Sequence, residues 1–332
     1  MSLNSKKKLT WLHISDLHFK EGDTYDSEVV TRSLIDSVKE LCESENNCYP
    51  DIIFLTGDVA YSGKSSEYEK ASAFLDSLLE KTKCTKEKLF IIPGNHDLDR
   101  NSGQFLARTL NSEDESVKFF APNTERPHFK KFEKFYQWYK DYFSNIRSEP
   151  TSLTCQLPEI IEINGIKTSV TLLNSAFFSL SKDDREKLWL GRRSFNDSIN
   201  GLQRLDPDLR IALVHHPLTW LNELEQTHIE ALVAGNFDFL LFGHLHKAKV
   251  QAIISHNQNV YYFAAGAVYQ TREYPNKAMF VTVEISSKKV FIYPICYQDD
   301  PKERWTLDTS LFPSDTNYRG IYDLNLKKNS KY

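Results

Sequence analysis

The apolar runs of this sequence are unbroken, and each one stops at a short polar block. Leu9 to Ile14 ends in Ser15-Asp16-Leu17-His18, and Ile52 to Leu55 ends in Thr56-Gly57-Asp58. Leu89 to Ile92 ends in Pro93-Gly94-Asn95-His96-Asp97. Ile211 to Val214 ends in His215-His216-Pro217, and Phe237 to Phe242 ends in Gly243-His244-Leu245-His246. Runs without alternation suit parallel strands covered on both faces. Between the first three runs, residues 25–42 carry Val29, Val30, Leu34, Val38 and Leu41 at helical spacing, and residues 66–81 carry Tyr68, Ala71, Phe74, Leu75, Leu78 and Leu79. Strand, helix, strand, helix, strand is the grammar of an α/β chain, read first as one doubly wound sheet covered by helices. Polar blocks at the carboxyl ends of such strands are expected to meet in space.

Residues 98–158 break the rhythm. They are polar at first and then densely aromatic, from Phe129 through Phe132, Phe135, Tyr136, Trp138, Tyr139 and Tyr142 to Phe143. A mainly helical, aromatic-rich insertion over the site is expected there, its stripe more often helix core than a platform for nucleobases. Strands are expected at 159–163 and 168–173, a helix near 195–205, and four more β segments at 250–254, 260–265, 279–285 and 290–297. The polar tail 298–332 carries no clear signal. At roughly 150 residues per domain, 332 residues allow one large domain or two small ones. No repeat or linker interrupts the chain, so a single domain over 9–297, with the 98–158 insertion as a cap and a C-terminal extension at 298–332, is expected.

The net charge of −4 supplies no basic field for nucleic acid. Five cysteines, with no CxxC pair, argue for a reducing compartment, and the lysine-rich start lacks the apolar stretch of a signal peptide. No apolar run approaches the roughly 18 residues of a membrane span. A cytoplasmic protein with no membrane association is expected, its oligomeric state open.

The polar blocks carry seven donors: Asp16, His18, Asp58, Asn95, His215, His244 and His246. Carboxylates, an amide oxygen and imidazoles together suit first-row transition metals better than calcium or structural zinc. Seven donors exceed what one ion with an open position needs, whereas two ions sharing one carboxylate use them all. Asp16 and His18, like His244 and His246, would point the same way in an extended chain. The glycines before Asp58, Asn95 and His244 would admit close backbone approach.

In order along the chain, the blocks DxH, GD, GNHD, H and GHxH resemble the signature of calcineurin-like metallophosphoesterases, over about residues 9 to 267. The wording His-His-Pro and Gly-His-Leu-His is similar to the bacterial branch that includes cyclic nucleotide phosphodiesterases. The resemblance implies two mixed β-sheets packed face to face and flanked by helices, in place of the single sheet. It implies one metal held by Asp16, His18 and His246, a second by Asn95, His215 and His244, and Asp58 bridging them. The ions would be divalent or trivalent transition metals: Mn²⁺, Fe²⁺/Fe³⁺ or Zn²⁺. His96 would stabilise charge or protonate the leaving oxygen, oriented by Asp97. The reaction implied is hydrolysis of a phosphodiester, a cyclic or other nucleotide, by a metal-activated hydroxide. A phosphomonoesterase, a DNA nuclease and a non-catalytic scaffold of the same fold are the alternatives.

Other polar residues have plainer readings. His216 follows a ligand on a strand and faces the opposite side, so it is no ligand; it stands with Arg100 as a candidate for substrate contact. Arg100, Lys247, Arg192 and Arg193 fit surface roles equally well. His13, inside the first strand, reads as a core histidine, and His128, His228 and His256 as surface or structural. Lys130, Lys131, Lys134 and Lys140 read as a solvated face.

Overall fold

The computed structural model describes residues 7–22, 25–44, 49–99, 109–121, 127–147, 154–180, 184–254, 259–272 and 275–327. In chain order the elements are β1 (Lys8–Ile14), α1 (Tyr25–Ser44), β2 (Ile52–Leu55), α2 (Ser65–Thr82), β3 (Leu89–Ile91), α3 (Glu113–Phe119), α4 (Glu133–Tyr142), β4 (Glu159–Ile163) and β5 (Ile166–Leu172). They continue with α5 (Arg192–Leu205), β6 (Leu209–Leu213), α6 (Glu223–Asn236), β7 (Phe239–Phe242), β8 (Lys249–Ile254), β9 (Asn259–Ala264), β10 (Lys277–Glu284), β11 (Lys289–Gln298), β12 (Arg304–Leu307) and β13 (Gly320–Asp323).

The strands form two mixed sheets. The first runs β12-β11-β10-β1-β2-β3, with β13 also on β11, and the second runs β4-β5-β6-β7-β9-β8. Within the first, β1, β2 and β3 are parallel and β10 is antiparallel to β1. Within the second, β5, β6, β7 and β9 are parallel. Alternation along each strand divides the core into three layers. Trp11, Ile52, Phe54, Phe90 and Met279 of the first sheet meet Ile211, Leu213, Phe239, Leu241 and Phe263 of the second. Trp11 lies edge-on to Phe54 and Phe239, with ring centroids 6.0 and 5.2 Å away. Leu12, Ile14, Ile53 and Leu55 turn outward into a layer with α1 and α2. Ala212, Val214, Leu240 and Phe242 turn outward into a layer with α5 and α6. The sandwich of two mixed sheets that the resemblance implied is thus borne out, and the single doubly wound sheet of the first reading is not. A strand buried on both faces reads as one apolar run whether a helix or a second sheet covers it.

Local chemistry sets the helix ends. The Glu67 carboxylate accepts the Ser62 and Lys64 amides at the start of α2, and Lys83 closes the helix in the left-handed region. The side chain of Asn222 accepts the Leu224 amide at the start of α6. The aromatic stripe of the insertion is core: Phe132, Phe135, Tyr139 and Phe143 are buried beside α2. Trp138 stacks on Tyr68 at 5.0 Å and donates to Ser72, and Tyr142 donates to Asp76. Lys131 departs from the solvated face expected of it. It is 1% exposed and donates to the Ser179 carbonyl, while Lys130, Lys134 and Lys140 remain exposed. The tail adds β12 and β13 along the outer edge of β11. Trp305 anchors β12 on α1, its indole donating to the Val30 carbonyl.

Candidate metal centre

All five polar blocks lie at the carboxyl ends of β1, β2, β3, β6 and β7, three from one sheet and two from the other. Hydrogen bonds knit these loops together past the strand ends. The Asp16 amide donates to the Gly57 carbonyl, the His18 amide to the Asp58 carbonyl, and the Gly243 amide to the His215 carbonyl. Contacts also cross between the sheets: the His244 amide reaches Asp16 Oδ2 at 3.1 Å, and Thr56 O accepts from His215 Nδ1 at 2.7 Å.

Asp16, His18, Asp58, His244 and His246 all take positive φ, between 49° and 63°. Non-glycine residues seldom adopt this region, and such strain gathers at functional sites. The convergence of Asp16 with His18, and of His244 with His246, therefore comes from left-handed turns. The extended chain expected for these pairs is absent. Glycine is required where ligand side chains crowd the backbone. A Cβ on Gly94 would lie 2.2 Å from Asp58 Oδ1, and one on Gly243 would lie 1.9 Å from Ser15 Oγ.

The two carboxylates share one design. Asp58 Oδ1 accepts the His96 amide at 2.7 Å, as Asp16 Oδ2 accepts that of His244. Their other oxygens, Asp16 Oδ1 and Asp58 Oδ2, are buried and take no well-formed hydrogen bond. Imidazole nitrogens face those bare oxygens. His246 Nε2 is 3.2 Å and His18 Nε2 3.7 Å from Asp16 Oδ1; His215 Nε2 is 3.3 Å from Asp58 Oδ2. The Asn95 amide oxygen lies 3.1 Å from both His215 Nε2 and His244 Nδ1. Donor atoms of Asp16, His18 and His246 fall within 4.8 Å of one another, as do those of Asp16, Asp58 and His215. An uncompensated buried carboxylate oxygen is costly. Two of them ringed by imidazoles fit a pair of cations, so the donor set suits the metal ions expected.

The outward-facing nitrogens are also fixed. The Thr56 carbonyl takes His215 Nδ1–H, and the Gln270 amide oxygen takes His246 Nδ1–H at 2.7 Å, which leaves each Nε2 to face the cluster. Electrostatics follow. Burial opposes ionisation of Asp16, yet His246 and His215 outweigh it and hold the carboxyl at about 2. Asp58 is held well below the carboxylate range against the same penalty, chiefly by His215. Burial disfavours a charged His215, but Asp58 and Asp16 raise it to about 9. Burial lowers His18 and His244 to about 4, so both imidazoles stay neutral.

His96 sits at the cluster's edge, its ring centroid 4.8 Å from that of His18. Its Nδ1–H donates to the Tyr61 carbonyl at 2.7 Å. Asp97 binds elsewhere: its buried carboxylate accepts the amides of Val59, Ala60 and Gly94 and the hydroxyl of Tyr68. The orientation expected from Asp97 is thus supplied at the His96 ring by Tyr61. Burial, then the charge of Asp58, raises Asp97 to about 7. His216 is buried within the cluster rather than facing away from it: a ring nitrogen lies within 4.8 Å of donor atoms of His215 and His244, and its Nε2 takes no hydrogen bond. Ser175 Oγ accepts its amide and lies 2.9 Å from its Nδ1, and Trp220 stacks on its ring. His13 is buried against Thr56, as a core histidine. Arg192 pairs with Glu113, while Arg193 and Lys247 are exposed. His228 lies on α6. Arg100, His256 and the side chain of His128 lie outside the described residues. A cavity of about 530 Å³ opens over the cluster, walled by Tyr61, Leu98, Leu180, Asp184 and Trp220. Tyr61, Gln270 and Trp220 carry no motif, and only their tertiary position marks them.

A family model described as calcineurin-like phosphoesterase matches residues 9–248. The chain is 24% identical over 295 residues to the protein described as uncharacterized metallophosphoesterase-like protein YydB of Bacillus subtilis (strain 168), covering 84% of this chain and 57% of that protein. Among solved structures, purple acid phosphatase PPD1 from yellow lupin (Lupinus luteus) seeds aligns with 90% of this chain and 53% of its own, at 11% identity and a TM-score of 0.48. The NAD nucleotidase of Haemophilus influenzae aligns with 94% of this chain and 55% of its own, at 11% identity and a TM-score of 0.45. This chain thus spans little more than half of each of these three proteins. No helix among the described residues is long and apolar enough to cross a membrane.

Proposed function

The chain belongs to the calcineurin-like phosphoesterase family, and on that premise we propose that it hydrolyses phosphoesters at this cluster, diesters ahead of monoesters. The observation that carries the reading is the pair of bare, buried oxygens, Asp16 Oδ1 and Asp58 Oδ2, faced by fixed imidazole nitrogens. Asp16, His18 and His246 would hold one ion and Asn95, His215 and His244 the other, with Asp58 serving both. Bound there, two ions of manganese, iron or zinc would neutralise phosphoryl oxygens and bring the pKa of a bound water from about 15.7 toward 7.

The chain's own residues do the rest. With Nδ1–H tied to the Tyr61 carbonyl, His96 has Nε2 left for the substrate. Protonated there, it donates to the departing oxygen and returns to the neutral form. Asp97 is a positioning residue: by holding the amides of residues 59, 60 and 94 it fixes the loops that carry Asp58 and Asn95. Tyr61 and Trp220 offer flat walls, which supports a nucleotide as the organic part of the ester. His216, beside His215 and His244, supports the site through its stacking on Trp220. The setting proposed is the cytoplasm, where the buried thiols of Cys42, Cys84 and Cys155 stay reduced.

The test is turnover of bis(p-nitrophenyl) phosphate and p-nitrophenyl phosphate by the purified protein in Mn²⁺, with bound metal measured alongside. Faster hydrolysis of the bis ester is expected. Faster hydrolysis of the monoester would make the protein a phosphomonoesterase. Cleavage of labelled DNA in preference to both would make it a nuclease. A chain that takes up no metal and turns over neither ester would be a scaffold, and the catalytic reading would fall.

A further inference from the structure

Trp220 belongs to two cavities. It walls the space over the cluster, and it also lines a second cavity of about 620 Å³. The Gly243–His246 turn divides its side chains the same way. His244 and His246 line the first cavity, and Leu245 lines the second. Leu245 is among the exposed large apolar side chains, which is otherwise hard to reconcile with its place between two ligands. The second cavity has an apolar base that includes Phe242 and Tyr262, while Arg185 and Lys249 also line it. Its one carboxylate, Glu230, accepts from Gln226 on the same helix.

A monoester has one organic group, and one cavity suffices for it. A diester has two, and the second must leave the phosphorus in another direction. Trp220, which lines both cavities, marks where such a group would cross. We propose that the second cavity is the subsite for the second organic half of a diester substrate, and that this half is a nucleotide with a terminal phosphate. The base would lie against Trp220 and Tyr262, since aromatic walls accept any base face. The terminal phosphate would meet Arg185 and Lys249, whose charges suit a dianion. The inference rests on the phosphodiesterase reading for its chemistry but makes its own demand, a preference for substrates charged at the far end.

The test is fluorescence anisotropy with the full chain in Mn²⁺, and again in EDTA. The probes are a 3′-labelled thymidine dinucleotide carrying a 5′-phosphate and the same dinucleotide without it. The wild type is expected to bind the phosphorylated probe about tenfold more tightly, a difference lost in the Arg185→Glu, Lys249→Glu double variant. Thr227, exposed on α6, lines the same cavity, and Thr227→Trp should weaken both probes by filling it. The double variant should keep wild-type turnover of bis(p-nitrophenyl) phosphate, which has no terminal phosphate, and this also shows that it folds; the circular dichroism spectrum of Thr227→Trp shows the same for that variant. No preference for the 5′-phosphate in the wild type, or its survival in the double variant, overturns the proposal. If the preference is present but neither ester is hydrolysed, the subsite stands and the catalytic reading falls. If the bis ester is hydrolysed without the preference, the subsite falls alone.

Discussion

At His96 the two ring nitrogens have separate duties, and Asp58 shows the same division between its oxygens. One atom of each is committed to the protein backbone, and the other faces the cavity or the cluster. The two residues should therefore fail differently. His96→Ala removes the proton donor proposed for the leaving oxygen but leaves every proposed metal donor in place. Turnover is expected to fall by about 10²–10⁴-fold with bound metal unchanged, as read by elemental analysis of the loaded protein. A variant emptied of metal would show that His96 is a ligand. Asp58→Asn keeps an acceptor for the His96 amide yet loses the charge both ions would share. Metal content and activity are expected to disappear together, and a metal-replete but inactive Asp58→Asn would refute the bridging role. The side chains that cluster here were legible in the sequence because their types and spacing are chemical. Tyr61 was not, because it acts through a carbonyl that every residue possesses. Gln270 was not, because it reaches His246 from 24 residues away in sequence.

Elements meet through a few buried polar contacts, and Glu225 is one that can be titrated. It lies in the first turn of α6 and accepts the amides of Leu190 and Gly191, just ahead of α5, at 2.6 and 3.0 Å. Burial raises its carboxyl to about 7, against the pull of those amides. A raised folded-state value means that the folded chain holds its proton longer than the unfolded chain. The stabilisation is complete below the unfolded value near 4.5 and is lost as pH rises through about 7. Urea unfolding at pH 5 and at pH 7.5 should show this loss in the wild type. Glu225→Gln should flatten it, and an unchanged slope would mean that Glu225 ionises in the fold as it does in water. Helices and long strands were legible from periodicity, which recorded that β1, β2, β6 and β7 are buried on both faces. It did not record what buries them. The strands β12 and β13 escaped because four-residue edge strands need no apolar run, only the free edge of β11. Lys131 misled for a related reason: a lysine in an aromatic segment looks solvated until the loop it meets is known.

Across the whole molecule, the site depends on the alignment of two sheets. Asp16, Asp58 and Asn95 come from loops after strands of one, and His215, His244 and His246 from loops after strands of the other. Trp11 occupies the middle of the layer between them, against Phe54 and Phe239. Truncating a fully buried indole leaves a cavity that rigid sheets cannot fill, so Trp11→Ala should destabilise the fold by about 3–5 kcal/mol. The shift in urea midpoint measures it, and a loss near zero would mean that the sheets close over the gap.

By itself the sequence determined which chemistry the chain carries. Residue type and short-range spacing mark the side chains that gather at the strand ends, and the order of the blocks identifies their family. Only the tertiary structure decided how those donors face one another. It set left-handed turns where an extended chain was expected, the Tyr61 carbonyl at His96 where Asp97 was expected, and a tryptophan shared by two cavities. The reason is physical: an apolar run records that a surface is dry, and a polar block that a loop is reactive, but neither records its neighbours. Those are chosen by contacts hundreds of residues apart, such as the amide of His244 on the carboxylate of Asp16.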